Sequence, residues 1–314
     1  MFRDGEQQPA SEGGPYKTKG GRMEVKTIAV IGAGTMGRGI AYAAAFGGYN
    51  TVLEDVSRHV LEQGIAWIRQ SFEEGVARGK VEASVRDRAL SLISTANNVE
   101  DAIRDADLII EAVPEELEMK LELFTIFDKF AKTGAVFASN TSSLSITDFT
   151  DVTVSRDRCA GLHFFNPVPK MKLIELVRTP HTSDETVATC REVARRMGKE
   201  VVMVNEAPGF ITTRVNALIG NEAFNMLEAG IASPEDIDKA LKLGLNHPMG
   251  PFELVDLVGL DVRLKILEYL HQTLGEKYRP NSLLRQYVQE GRLGRKTGRG
   301  VYDYTQQEAA EKKT

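Results

Sequence analysis

The fold is decided by a stretch near the start of the chain, Lys26–Asp55, whose sequence is KTIAVIGAGTMGRGIAYAAAFGGYNTVLED. The β-branched residues of KTIAVI predict a short buried strand. A glycine-rich turn follows at once at Gly32–Gly37, and the alanine-rich segment Arg38–Phe46 predicts a helix that a pair of glycines ends. Thr51–Leu53 predicts a second strand. The stretch therefore predicts a strand, a glycine turn, a helix and a strand, in that order.

The glycine turn has the spacing G-x-G-x-x-G at Gly32, Gly34 and Gly37. Between a strand and a helix, with Asp55 about 20 residues downstream, this spacing predicts a dinucleotide site. The glycines let the chain turn tightly and approach a pyrophosphate, and the helix N-terminus attracts the phosphates. Asp55 favours NAD over NADP because its carboxylate accepts a hydrogen bond from a ribose hydroxyl and repels a phosphate, although Arg58 weakens this preference. The alternative is a glycine-rich turn with no ligand.

The rest of the first half alternates strand and helix patterns. Strands are predicted at 107–112, 135–138, 158–165, 172–177 and 200–204, and helices at 115–131 and 183–197. Residues 57–91 predict a helical hairpin with a break at Gly79, and the spacing after 205 is helical. The predicted fold class is an α/β Rossmann-type dinucleotide-binding domain at 25–205, followed by an all-α C-terminal domain at 206–304. We expect a disordered leader at 1–24 and a flexible tail at 305–314.

The composition excludes several classes of protein. With 39 Lys and Arg against 44 Asp and Glu, the formal net charge is −5, which argues against nucleic acid or an anionic membrane as the main partner. No apolar run approaches the ~18 residues of a membrane span. Cys159 and Cys190 cannot form a disulfide framework and lack metal-ligand spacing. We therefore expect no metal site and a reducing compartment, the cytoplasm.

Polar side chains follow several of the predicted strands, where ligands bind in open α/β sheets. These candidates are Glu115 and Lys120, the run Ser139–Ser143, and His163 with Asn166. Ordinary turn and capping chemistry explains the serine-rich run equally well. His163 is a candidate general base, and Glu175, on the predicted returning strand, is placed to hydrogen-bond its second ring nitrogen. The alternatives are a structural histidine and a surface carboxylate.

Longer motifs give a resemblance to a known family. The segments, in chain order, are GAGTMGRGIA, ASNTSSLSIT, GLHFFNPVPKMKLIE, APGFITTR, HPMGPFELVDLVGLD and GRKTGRGVYDY. Together they resemble the 3-hydroxyacyl-CoA dehydrogenase family, and more narrowly its short-chain, 3-hydroxybutyryl-CoA type of bacteria. The resemblance runs in order from about residue 25 to residue 304. The HFFNPVP and GPFEL segments are specific, whereas the glycine turn alone is not.

The resemblance implies an NAD-dependent (3S)-3-hydroxyacyl-CoA dehydrogenase that interconverts short-chain 3-hydroxyacyl-CoA and 3-oxoacyl-CoA in fatty acid metabolism. It implies His163 as catalytic base, Glu175 as its carboxylate partner and Ser142 as a contact of both substrate and cofactor. The further cofactor contacts that it implies are Gly32, Gly34, Thr35, Met36, Gly37, Asp55, Glu115, Lys120, Asn166 and Lys296. The implied substrate contacts are Ser71, Arg78, Ser142 and Thr213.

One position departs from the family pattern. Thr213 stands where the family often has an asparagine, and its shorter hydroxyl lacks the second hydrogen-bonding group of an amide, which bears on substrate hydrogen bonding and chain length. The resemblance also implies a homodimer through the helical half, with a separate enoyl-CoA hydratase or thiolase as a pathway partner. Two alternatives stay open: a same-fold dehydrogenase of a 3-hydroxy acid without coenzyme A, of gulonate or carnitine type, and a non-catalytic dinucleotide-binding protein.

Overall fold

The computed structural model describes residues 23–305, so the predicted leader and tail fall almost entirely outside the described residues. The described chain forms two compact units. The first holds residues up to Thr141 together with Ile146–Glu206, and the second holds Ser142–Ser145 and the chain from Ala207 onward.

The strands of the first unit pair in a single eight-stranded sheet. They are β1 Thr27–Ile31, β2 Asn50–Glu54, β3 Ile93–Ala96, β4 Leu108–Glu111, β5 Val136–Ser139, β6 Cys159–Phe164, β7 Leu173–Arg178 and β8 Glu200–Asn205. Their order across the sheet is β3-β2-β1-β4-β5-β6-β7-β8. All neighbouring strands are parallel except β6 and β7, which are antiparallel. The order reverses between β1 and β4, which is where open α/β sheets bind ligands.

Helices connect these strands. They are α1 Thr35–Phe46, α2 Arg58–Ala77, α3 Ala83–Ser91, α4 Val99–Ile103, α5 Leu117–Phe130, α6 Ile146–Thr150 and α7 Asp184–Arg196. The predicted interruption at Gly79 is confirmed, because this glycine has φ +65° and separates α2 from α3. Ser183 caps α7, accepting a hydrogen bond from the backbone N–H of Thr186.

The core of the first unit lies on the sheet. All four residues of β4 are buried, as are Ile28 and Val30 of β1, which explains why these strands are continuous apolar runs in the sequence. Phe124 and Phe127 of α5 pack with Phe137 of β5, at ring-centroid distances of 6.4 and 5.8 Å. Burying side chains of this size contributes about 1.5–3 kcal/mol each, so packing rather than helix propensity holds these elements.

The predicted fold class is confirmed, and the antiparallel return of β7 beside β6 is confirmed with it. Three short elements were missed: β3, α4 and α6. The sequence of β3 is ISTA and two of its four residues are exposed, because it lies at the edge of the sheet. An exposed edge strand has no run of buried apolar residues to reveal it.

The second unit is helical. Its helices are α8 Thr212–Glu228, α9 Pro234–Gly244, α10 Pro251–Val258, α11 Leu260–Leu274 and α12 Ser282–Gln289. The predicted breaks after α8, α9 and α11 are confirmed, but the one between α10 and α11 was missed. There Gly259 has φ +107°, a conformation that glycine adopts readily, inside a stretch whose apolar spacing is uninterrupted.

A buried carboxylate holds the last segment of the second unit. Asp256 is 1% exposed and accepts hydrogen bonds from the backbone N–H groups of Val301 and Tyr302, at 2.8 and 2.9 Å, and from the hydroxyl of Tyr304 at 3.0 Å. Burial raises the pKa of this carboxyl. Gly300 lies against the same carboxylate, where a Cβ would come within 2.0 Å of an oxygen. This close contact explains why position 300, in the GRKTGRGVYDY segment, is a glycine.

Candidate active site

A histidine and a glutamate meet where β6 and β7 pair. The antiparallel register places His163 directly opposite Glu175, and Nδ1 of the imidazole lies 2.8 Å from Oε2 of the carboxylate. The two residues are 5% and 1% exposed. Because a carboxylate only accepts hydrogen bonds, Nδ1 donates, and Nε2 keeps the lone pair that a general base needs. The carboxylate also attracts the positive charge that the ring acquires when Nε2 takes a proton.

The backbone beside the histidine is fixed by a residue from the neighbouring strand end. The N–H of Phe164 donates to Oδ1 of Asn140 at 2.9 Å. The ring of Phe165 packs against the imidazole with a centroid distance of 4.6 Å. The histidine is therefore held through its side chain by Glu175 and through its backbone by Asn140.

The glycine turn has the geometry of a dinucleotide site. Gly32 has φ +96°, and a Cβ on Gly37 would lie 1.6 Å from the carbonyl oxygen of Gly32, so both positions require glycine for the turn itself. Gly34 differs, because a Cβ there would meet no heavy atom within 4 Å. The backbone at Gly34 thus borders open space at the N-terminus of α1, which fits a pyrophosphate approaching the chain closely.

Asp55 follows the end of β2 and is bound to this turn. Its Oδ2 accepts from the N–H of Ala33 at 3.0 Å, and its Oδ1 accepts from the N–H of Ser57 at 2.9 Å. Each carboxylate oxygen keeps a second lone pair, which is the acceptor that a ribose hydroxyl requires. The preceding residue, Glu54, is 2% exposed, and burial together with the neighbouring Asp55 raises its pKa to about 7.

A cavity of about 530 Å³ lies within the first unit, and two predicted substrate contacts line it: Ser71 of α2 and Arg78, the C-cap residue of that helix. Its apolar wall includes Tyr42 and Trp67. Its other lining side chains include four lysines: Lys80, Lys170, Lys172 and Lys199. A pocket that combines an apolar wall with several cations suits a ligand that carries both hydrocarbon and phosphate groups.

Family matches cover nearly all of the described chain. Residues 27–207 match the family described as 3-hydroxyacyl-CoA dehydrogenase, NAD binding domain, and residues 209–304 match 3-hydroxyacyl-CoA dehydrogenase, C-terminal domain. The chain belongs to the 3-hydroxyacyl-CoA dehydrogenase family. The resemblance predicted from the sequence is thereby confirmed.

Individual members of the 3-hydroxyacyl-CoA dehydrogenase family are similar to this chain over more than nine tenths of their length. The chain is 44% identical over 283 residues to the probable 3-hydroxybutyryl-CoA dehydrogenase of Bacillus subtilis (strain 168), covering 90% of this chain and 98% of that protein. It is 42% identical over 291 residues to the mitochondrial hydroxyacyl-coenzyme A dehydrogenase of Homo sapiens, covering 90% and 92%. The crystal structure of (S)-3-hydroxybutyryl-CoA dehydrogenase PaaH1 from Ralstonia eutropha superposes with a TM-score of 0.86 at 41% identity, covering 90% and 100%.

The residues that the family resemblance implies are divided between the two units. The first unit holds the glycine turn with Thr35 and Met36, and also Asp55, Ser71, Arg78, Glu115, Lys120, His163, Asn166 and Glu175. The second unit holds Ser142, Thr213 and Lys296. Lys296 pairs there with Asp261 at 2.6 Å, and Thr213 lies in the first turn of α8. Asn166 is exposed just after β6.

Sequence reasoning missed other residues of the site. Glu111 and Lys199 were not singled out, and Asn140 was seen only as part of a polar run. Lys199 is buried, its ammonium donates to the carbonyl oxygens of Val168 and Met171, and burial lowers its pKa to about 8. A signal for Glu111 was present, because an acid that ends the apolar strand LIIE must find a partner when it is buried.

No metal site and no membrane span emerge from residues 23–305. Over that range, His, Cys, Asp and Glu nowhere gather in a group of three or more able to hold a metal ion. None of the helices in the same range has the length and apolar character needed to cross a membrane.

Proposed function

We propose that this protein is an NAD-dependent (3S)-3-hydroxyacyl-CoA dehydrogenase that interconverts short-chain 3-hydroxyacyl-CoA, such as 3-hydroxybutanoyl-CoA, and 3-oxoacyl-CoA in fatty acid metabolism. The observation that carries the proposal is the buried His163–Glu175 pair, at 2.8 Å, in the same unit as a dinucleotide turn. Family membership and the activities for which its relatives are named support the substrate class.

Bound NAD⁺ would supply the acceptor for the hydride that leaves carbon 3 of the substrate in the oxidation direction. Nε2 of His163 takes the proton of the hydroxyl group, and Glu175 holds the ring while it is charged. The alcohol thus loses a hydride and a proton and becomes a ketone. A positioned base of this kind contributes about 10²–10⁴-fold in rate. We assign to Ser142 the hydrogen bond that orients the reacting oxygen.

We further propose that NAD is preferred over NADP. Asp55 would hold the ribose hydroxyls, and its negative charge would repel a 2′-phosphate. Glu115, Lys120, Asn166 and Lys296 are proposed as further cofactor residues on the family resemblance. Lys120 is 1% exposed, so its contribution would come through the carboxylates that it binds.

We assign the cavity of the first unit to the coenzyme A part of the substrate. Ser71 and Arg78 line it, and Arg78 pairs with the exposed carboxylate of Glu74 at 3.4 Å. Exposed ion pairs of this kind are weak, so the guanidinium can exchange Glu74 for a phosphate at little cost. Thr213 is proposed as a substrate contact in place of the family's usual asparagine.

We propose a homodimer through the helical unit, in the cytoplasm. Large apolar side chains of this unit are exposed, at 53% for Val215, 78% for Leu243 and 66% for Leu245. Exposed apolar surface of this kind marks interaction sites.

Cys159 and Cys190 are both free and buried, which is consistent with a reducing compartment. An enoyl-CoA hydratase or a thiolase remains the proposed pathway partner.

The decisive experiment follows NADH consumption with acetoacetyl-CoA, longer 3-oxoacyl-CoAs and free acetoacetate side by side. We expect turnover of the coenzyme A thioesters and none of the free acid. Turnover of free acids at the same rate would favour a dehydrogenase of a 3-hydroxy acid without coenzyme A. NADH binding without turnover of any substrate would favour a non-catalytic dinucleotide-binding protein. Light scattering in the same buffer tests the dimer.

A further inference from the structure

The carboxylate of Glu111 is buried at the carboxyl end of a central strand, next to the point where the strand order reverses. Glu111 ends β4 and lies in register between Ile31 of β1 and Ser139 of β5. It is 0% exposed, so it cannot touch a ligand. A carboxylate in that position is tolerated only if its oxygens are fully hydrogen-bonded or paired.

Three groups satisfy this carboxylate. The ammonium of Lys120 lies 2.7 Å from each of its oxygens. The hydroxyl of Ser139 donates to Oε2 at 2.6 Å, and the backbone N–H of Val113 donates to Oε1 at 2.9 Å. Glu111 therefore joins the loop after β4, the first turns of α5 and the end of β5.

These contacts close into a ring, defined here as the Glu111 ring: Glu111, Lys120, Glu115, Thr141 and Ser139. Lys120 lies 3.3 Å from Oε2 of Glu115, and the hydroxyl of Thr141 donates to Oε1 of Glu115 at 2.5 Å. The backbone N–H of Thr141 donates to the hydroxyl of Ser139 at 3.1 Å, which returns to Glu111. Glu115, the proposed cofactor contact, is the member of the ring with an exposed carboxylate, at 37%.

The same ring reaches the catalytic histidine. Asn140 lies between Ser139 and Thr141, and its backbone N–H donates to the carbonyl oxygen of Glu111 at 2.9 Å. Its side chain in turn accepts the N–H of Phe164, the residue after His163. The Glu111 carboxylate acts on Glu115 through Lys120, and on the segment of Asn140 through the hydroxyl of Ser139. A change of this side chain is therefore expected to shift both.

We propose that Glu111 is a positioning residue, which sets the cofactor through Glu115 and the catalytic base through Asn140. The inference rests on the proposed function for its catalytic half. Hydride and proton transfer require the cofactor and the catalytic base to be placed correctly relative to each other. An error of about 1 Å in this placement costs about 100-fold in rate. The carboxylate of Glu111 holds both Lys120, which pairs with Glu115, and Ser139, the neighbour of Asn140.

The test is Glu111→Gln, which keeps the shape of the side chain and removes the charge that holds Lys120. We expect kcat/KM for NADH to fall about 100-fold, with a higher KM. We also expect a larger deuterium isotope effect on the transferred hydrogen of NADH, because misaligned hydride transfer becomes rate-limiting. A variant that was only less stable would have fewer active molecules, with KM and the isotope effect unchanged.

A double variant separates positioning from stability. Glu111→Gln with Lys120→Met replaces the buried ion pair by neutral groups of similar size, which restores much of the thermal stability that Glu111→Gln alone loses. We expect the raised KM and isotope effect to persist, because the double variant lacks the ion pair between Lys120 and Glu115. If the double variant recovers wild-type kinetics, Glu111 has only a structural role and the proposal is overturned.

Two further variants complete the design. Ser139→Ala keeps the ion pair and removes the hydroxyl that links Glu111 to Thr141. We therefore expect kcat/KM for NADH to fall about 10-fold in this variant, a result that can be measured even if Glu111→Gln does not fold. Unchanged kinetics in Ser139→Ala contradict the proposal. Glu268→Gln breaks the exposed pair of Glu268 with Arg285 and serves as the matched control, with wild-type kinetics expected.

The outcome is distinguishable from failure of the proposed function. If wild-type protein turns over no acyl-CoA, the proposed function fails, and NADH binding is then measured by its fluorescence in wild type, Glu111→Gln and Ser139→Ala. Weaker binding in both variants supports the role of Glu111 in holding the cofactor. Equal affinity in all three proteins overturns it.

Discussion

Replacing Glu54 by glutamine should change how the stability of the first unit depends on pH. Glu54 is 2% exposed, and its Oε1 has no hydrogen-bond partner among the described residues. Burial, with Asp55 and Glu100 as neighbouring negative charges, raises its pKa from 4.5 to about 7. The folded chain therefore keeps a proton on Glu54 over a range in which the unfolded chain has lost it.

The sign and size of the effect follow from this difference in protons bound. Below pH 4.5 both states are protonated, and Glu54 adds no pH dependence. Between pH 4.5 and about 7 the folded state holds the extra proton, so the free energy of unfolding falls as the pH rises. At about 1.4 kcal/mol per pKa unit, the loss attributable to Glu54 is about 3 kcal/mol, complete above pH 7.

Urea unfolding followed by tryptophan fluorescence isolates the relevant unit. The chain has one tryptophan, Trp67 of α2, and it lies in the same unit as Glu54. The difference in unfolding free energy between Glu54→Gln and wild type should move by about 3 kcal/mol in favour of the variant from pH 4.5 to 8. Glu62→Gln, at an exposed carboxylate paired with Arg58 at 3.0 Å, is the control and should show little change. A difference that stays flat over this pH range refutes the reasoning.

Further predictions concern the reaction and its cofactor. His163→Gln should lower kcat about 10²–10⁴-fold with NADH binding retained, and an undiminished rate would rule out the proposed base. Gly37→Ala should lower both the melting temperature and NADH affinity, because its Cβ would lie 1.6 Å from the Gly32 carbonyl oxygen. Gly34→Ala should lower NADH affinity but not the melting temperature, since its Cβ meets no protein atom. An equal fall in melting temperature in Gly34→Ala and Gly37→Ala would contradict this. Asp55→Asn should narrow the preference in kcat/KM for NADH over NADPH, and an unchanged ratio would exclude a charge effect.

Much of this fold was predictable because its central elements are strongly patterned. β1, the glycine turn and α1 were predicted within a few residues, since buried parallel strands are apolar throughout and glycine marks the turn. The edge strand β3 and the five-residue helices α4 and α6 were not predicted. Elements this short are stabilised by contacts with distant parts of the chain, and the local sequence pattern does not reveal these contacts.

The candidate site was predictable where a residue's position on a strand determined its neighbour. Glu175, on the strand predicted to return beside β6, was placed to hydrogen-bond the ring of His163, and the register pairs these two residues. Family resemblance named Glu115 and Lys120 but gave no account of how they are held. Lys120 is held by Glu111, 9 residues away along the chain, and Glu115 by Thr141, 26 residues away, and spacing carries no signal for contacts of this kind.

Lys120 shows why the structure changes the explanation of such a residue. A lysine near a dinucleotide site suggests a direct contact with phosphate, yet this ammonium is 1% exposed and lies between the carboxylates of Glu111 and Glu115. Removing either partner of a buried pair leaves an uncompensated charge, so a loss of activity in a Lys120 variant does not by itself demonstrate contact with the cofactor. The comparison that separates the two roles is Lys120→Met alone against Lys120→Met with Glu111→Gln. A direct contact predicts equal NADH affinity in the two proteins, whereas misplacement by an unpaired Glu111 carboxylate predicts partial recovery in the second.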